Sequence, residues 1–147
     1  MFFPTILAAS LASLAAAAPA KRDLPGTFEV TNFVYGCSAS CFWSFDLGVS
    51  GSAQNHPATG PTVKCSGSLD NDTDYVQCGT VSETQTLSAY IEKANNVLHL
   101  RYDVTNYNTG ATYKYYGDET VYSSTGPDAA KQEESFCVKE NRATGVN

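Results

Sequence analysis

The sequence predicts a small, disulfide-stapled, mostly antiparallel all-β domain, and three observations carry that expectation. Thr, Val and nine Tyr are plentiful while helix-period apolar spacing is almost absent. Turn-forming residues recur about every eight to twelve positions, the punctuation of short strands. Five cysteines, Cys37, Cys41, Cys65, Cys78 and Cys137, follow an N-terminal segment that reads as an export signal, which points to disulfides and not to a reduced metal or redox site.

The first twenty residues are apolar from Ile6 to Ala18, too short to span a bilayer, and end in small residues. They are expected to be a signal peptide cut at about residue 17–20. The dibasic pair Lys21-Arg22 then marks a short pro-segment, leaving 23–147 as a single β domain with a free C-terminal tail over Asn141–Asn147. All fifteen acidic residues and seven of the nine basic ones lie beyond residue 22, an excess of eight negative charges. That balance argues against nucleic acid and anionic membranes, which need a basic footprint. No segment beyond residue 22 is long or apolar enough to cross a membrane.

A first strand is expected over Thr27–Tyr35, turning through Gly36–Ser40 into a second, Cys41–Val49, where Trp43, Phe45, Leu47 and Val49 alternate with Phe42, Ser44, Asp46 and Gly48. A polar loop from Ser50 to Pro61 leads to a strand around Val63–Gly67. The stretch VKCSGSLDNDTDYVQCG reads as a hairpin registered by its own cysteines: Cys65 opposite Cys78, Gly67 opposite Val76, with Asp70–Thr73 as the turn. In LSAYIEKANNVLHLRYDV a two-residue turn at Asn95-Asn96 pairs Lys93 with Leu98, Ile91 with Leu100, Ala89 with Tyr102 and Leu87 with Val104 on an apolar face. The solvated face then pairs Glu92 with His99, Tyr90 with Arg101 and Ser88 with Asp103. One or two tyrosine-rich strands follow the turn at Asn108–Gly110, then a helical turn within Pro127–Glu134 and a last strand over Ser135–Lys139 that carries Cys137.

Among residues that bear chemistry, Glu92, His99, Arg101 and Tyr90 come nearest to an acid–base site. General acid–base work needs two proton-handling groups, and the other histidine, His56, has no register to this hairpin, so the group reads as a surface charge cluster. Asp70, Asp72 and Asp74 open like a calcium loop, but Tyr75 stands where the turn glycine belongs and Val81 where the bidentate Glu belongs. Asn71-Asp72-Thr73 is instead an N-glycosylation sequon, with Asn71 at an exposed hairpin tip. Cys37 and Cys41 lack a histidine cluster for zinc, and one of the two is expected to bridge to Cys137. No catalytic, cofactor-binding or metal-binding residue is assigned. The excess of Tyr90, Tyr102, Tyr107, Tyr113, Tyr115, Tyr116 and Tyr122 has two readings, core and cross-strand packing first and an exposed surface that recognises a partner second.

The ordered set VTNFVYGC, FWSFDLGVSG, VKCSG…DYVQCG, NVLHLRYDV and SFCVKE resembles the Alternaria major allergen-like family of fungal secreted proteins. The resemblance implies a compact antiparallel β-barrel or sandwich, here of roughly eight to eleven short strands, without enzymatic chemistry and often a homodimer. Cys65 and Cys78 match that family's hairpin bridge. The absence of cysteine between Gly79 and Phe136 places the chain nearer the elicitor branch, whose members trigger a hypersensitive response in plants. The expected function is therefore that of an extracellular effector acting in the host apoplast on a plant protein or receptor. A small-ligand carrier that uses the barrel interior is the alternative, and a secreted hydrolase or ribonuclease ranks below both.

Overall fold

The structure, a computed structural model, describes residues 26–146. The signal and pro-segment expected over residues 1–22 lie outside the described residues. Nine strands form two antiparallel sheets. The first, in the order β3-β2-β1-β8, contains β1 (Thr27–Cys37), β2 (Cys41–Ser50), β3 (Val63–Ser68) and β8 (Phe136–Lys139). The second, in the order β4-β5-β6-β7-β9, contains β4 (Val76–Ser82), β5 (Gln85–Glu92), β6 (Val97–Thr105), β7 (Thr112–Thr120) and β9 (Arg142–Val146). One turn of 3-10 helix spans Ala129–Lys131. The sheets pack face to face as a sandwich and do not close into a barrel.

Alternation in β2 turns Trp43, Phe45, Leu47 and Val49 inward. They meet Leu87, Ala89 and Ile91 of β5 and Leu98, Leu100 and Tyr102 of β6 in one continuous core. In β1 the inward set changes parity, from Phe28 and Val30 to Phe33 and Tyr35. A bulge causes the change: Thr31 pairs with Asp46 but Val34 with Ser44, one extra residue on β1. Asn32, at φ +53°, absorbs the bulge, and its side-chain amide donates to Asp46 Oδ2 at 2.8 Å. Asn tolerates that left-handed geometry better than most residues.

Three expectations about strand pairing change. The cysteine hairpin is not a ladder: β3 pairs with β2, β4 pairs with β5, and Leu69–Tyr75 crosses between the sheets. Cys65–Cys78 is bonded at a Cα separation of 4.6 Å, and it staples the edge of one sheet to the edge of the other. A disulfide requires Cβ proximity, not strand pairing, so the two features come apart. In the β5–β6 hairpin Glu92 faces Val97, Ile91 faces Leu98 and Ala89 faces Leu100, two residues from the expected register. Finally, the expected free tail is a strand, with Arg142 to Val146 paired along Tyr116 to Thr112.

Candidate functional site

The outer face of the second sheet gathers the charged and aromatic side chains that its period-2 alternation turns away from the core. One row across the sheet is Tyr90, His99 and Asp118; the next is Ser88, Arg101, Tyr116 and Arg142. Tyr90 and His99 stack at 4.6 Å with 17° between their planes. His99 Nδ1 lies 2.5 Å from Asp118 Oδ1 and Nε2 lies 3.0 Å from Glu92 Oε2, so both ring nitrogens are engaged by carboxylates. Glu92 reaches His99 diagonally, because the register puts Val97 directly opposite it. The contact with His99, and a second with Asn95, hold the Glu92 carboxyl below its usual range.

Tyr75, from the crossing before β4, lies across these rows. Its ring meets Tyr90 edge-on at 4.9 Å and Tyr116 at 6.3 Å, with the Arg101 guanidinium 4.7 Å over its centroid. Burial, together with the negative charge of Asp118, pushes the Tyr75 phenol up to about 12. Arg101 Nε also pairs with Asp103 Oδ1 at 3.0 Å, and Arg142 stacks on Tyr116 at 4.1 Å. Each charged group here already has a partner within the sheet. The arrangement holds planar and charged surfaces rigidly in place, and it offers no unengaged histidine nitrogen to take or give a proton.

The second histidine sits on the opposite side of the same sheet. His56, in the loop after β2, is fully buried, with its ring edge-on to Tyr102 at 5.4 Å and Tyr115 at 4.4 Å. Its Nε2 lies 2.5 Å from Glu140 Oε1 and its Nδ1 lies 2.8 Å from Gly51 O. Burial disfavours the imidazolium, but the hydrogen bond and charge of Glu140 outweigh it, so the His56 pKa is raised. The loop is pinned by Tyr115 and Tyr102, whose hydroxyls donate to Asn55 O and Pro57 O, each at 2.7 Å. Gly26 lies so close that any Cβ there would overlap both the His56 ring and the Glu140 carboxylate. With β6 between them, His56 and His99 cannot serve one substrate.

Comparison with family models, curated proteins and solved structures finds no match.

The remaining candidates fall elsewhere. Cys37 bonds to Cys41, its direct partner across the β1–β2 ladder, and Cys137 is free and exposed. The expected clasp from Cys137 to Cys37 or Cys41 is therefore absent. Cys137 pairs with Glu29, eight residues down β1 from Cys37, roughly 25 Å away at strand rise. Asp70 turns to Lys93, in the turn between β5 and β6, at 2.8 Å, while Asp72 accepts from the Ser68 amide at 2.7 Å, so the two do not converge. Among the described residues no group of three or more His, Cys, Asp or Glu could hold a metal ion. Asn71 is exposed in the turn between them. Tyr102 and Tyr115 are core, Tyr90 and Tyr116 face outward, and Tyr107 is the most open of the named tyrosines at 76%. Asp118, Arg142 and Glu140 were not singled out from the sequence, and Tyr75 was named there only as the residue that breaks a calcium loop. Three of them come from strands or crossings whose neighbours depend on sheet order, and Glu140 pairs across 84 positions.

Proposed function

We propose that the protein is an exported, non-enzymatic effector of the elicitor type, recognised by a plant protein through its outer surface. The observation that carries this reading is the outer face of the second sheet. There Tyr75, Tyr90, Tyr116, Arg101 and Arg142 are held by mutual stacking, and His99 has both nitrogens engaged. Aromatic rings and arginines of fixed geometry suit protein recognition, because little side-chain entropy is lost when a partner docks. The ordered motifs of the allergen-like family support the elicitor assignment. Two disulfides are compatible with an oxidising, extracellular compartment, and no described helix is long and apolar enough to cross a membrane. The interior that a ligand carrier would use is filled by Trp43, Phe45, Leu98 and Leu100, each at most 2% exposed.

Leaf infiltration with the purified domain from residue 23 onward tests this reading. A defence response is expected, weakened in the double variant Tyr90→Ala/Arg101→Ala. Absence of any response to a preparation shown to be folded, or equal potency of the double variant, counts against it.

A further inference from the structure

The outer face of the first sheet has a different character. Val34 and Phe42 are 58% and 56% exposed, unusually open for side chains of their size. They border an open groove of about 480 Å³ that is also lined by Ser44, Ser66 and Asp72. At Gly67 an added Cβ would meet the Trp43 ring at 2.5 Å and Asp72 Oδ2 at 2.9 Å, so only glycine lets ring and carboxylate come this close beside the groove. An aromatic ring, an aliphatic neighbour, hydroxyls and one carboxylate match a pyranose, which has an apolar C–H face and a rim of hydroxyls.

Such a sugar has an attachment point at the groove's rim. Asn71, the sequon asparagine, sits in the turn after β3, next to the groove residue Asp72. That turn is closed by the Asp72 amide donating to Ser68 O at 3.0 Å and the Ser68 amide donating to Asp72 Oδ2 at 2.7 Å. Ser68 in turn faces Phe42 directly across the β2–β3 ladder. Asn71 and Thr73 are both exposed, as a glycosylating enzyme requires.

We propose that Asn71 carries an N-linked glycan whose first N-acetylglucosamine lies in this groove, with its C–H face on Phe42 and Val34 and its hydroxyls toward Asp72 and Ser66. The inference rests on the export reading, because the sequon is modified only in a secretory pathway. A neutral sugar meets no charge penalty at Asp72, whereas a second copy of a chain with eight excess negative charges beyond residue 22 would bring further negative charge to it.

The test expresses the chain in a eukaryotic host with its own first 22 residues and, in parallel, behind a foreign signal. Export only from the second arm refutes the export reading and with it a natural glycan on Asn71, while a groove that fails to seat the sugar in the second arm refutes the docking alone. Intact mass is expected to show hexosamine-containing additions that vanish in Asn71→Gln and in Thr73→Ala. In the glycosylated protein the ring C–H proton resonances of the first N-acetylglucosamine are expected to move upfield from ring current and to revert in Phe42→Ser, a change at an exposed position that leaves the core intact. Enzymatic removal of the glycan is expected to lower Tm by several degrees in the parent and by less than 1 °C in Phe42→Ser. An unoccupied Asn71 overturns the proposal. So do unshifted ring C–H protons, an equal loss of Tm in both backgrounds, or concentration-dependent self-association that covers Phe42 in the glycosylated protein.

Discussion

Replacing His56 with alanine strands a carboxylate. Glu140 and His56 have fully buried side chains, and Glu140 Oε2 already has no hydrogen-bond partner. Removing one member of a buried pair costs about 3–5 kcal/mol, because the remaining charge stays desolvated without compensation. The described domain has about 120 residues. At roughly 2.1 cal/mol/K per residue, that length gives an unfolding entropy of about 0.25 kcal/mol/K and a fall in Tm of about 12–20 °C. Thermal unfolding followed by circular dichroism reads the shift directly. A second signature lies in the pH dependence. The folded pKa of His56 is above its ordinary value, so the folded state binds the proton more tightly than the unfolded chain. The pair's contribution is then fully present below the unfolded value of about 6.5 and is lost as pH rises through the raised folded value. The Tm advantage of the parent over Glu140→Gln should accordingly shrink from pH 6 toward alkaline pH. A His56→Ala protein melting within about 3 °C of the parent, or an advantage that grows with pH, would refute the reasoning.

Leu100→Ala, at a fully buried site facing the first sheet, is expected to cost about 2–5 kcal/mol in a urea titration with little change in m. Replacing both Cys65 and Cys78 by alanine should destabilise the domain by roughly 3 kcal/mol from loop closure, against roughly 2 kcal/mol for the shorter Cys37–Cys41 loop. Equal losses would mean that the inter-sheet staple acts no differently from the turn staple. Under native, non-reducing conditions a maleimide should add one mass increment, mapped by peptide digestion to Cys137. Two or more labels would contradict the disulfide pairing.

How much was legible in advance depended on whether a feature is local. In β2 the inward face follows from alternation alone, because each residue's side is set by its neighbours in the chain. The β5–β6 hairpin kept its two faces although its register slid, since a two-residue shift returns each side chain to the same side. The slip itself lies in the turn. Asn96 alone takes positive φ, and its amide reaches Glu92 O at 2.9 Å, making Lys93–Asn96 a four-residue turn and not a two-residue one. The contact of Glu92 with His99 was foreseeable because both belong to that hairpin. Tyr75, Asp118 and Arg142 were not, because their approach depends on β4, β7 and β9 lying in one sheet. The cysteine pair misled for a related reason. Cys65 and Cys78 lie opposite each other, but between edge strands of different sheets.

The two outer faces therefore place different demands on anything that docks. On the second sheet, Glu92, Asp103 and Asp118 are interleaved with Arg101 and Arg142, so a chain that is acidic overall presents a face where opposite charges alternate at close range. A partner there gains from matched planar contacts and pays little long-range repulsion, with rim charges acting mainly on the rate of encounter. The first sheet leaves Val34 and Phe42 open with only Asp72 as a charge in the groove, so its natural cover is neutral and partly apolar. If a glycan on Asn71 occupies that groove, the apolar patch is withdrawn from protein contact. Recognition by a host protein then falls to the charged tyrosine face, which is why substitutions at Tyr90 and Arg101 discriminate among readings of the function better than any change at Phe42.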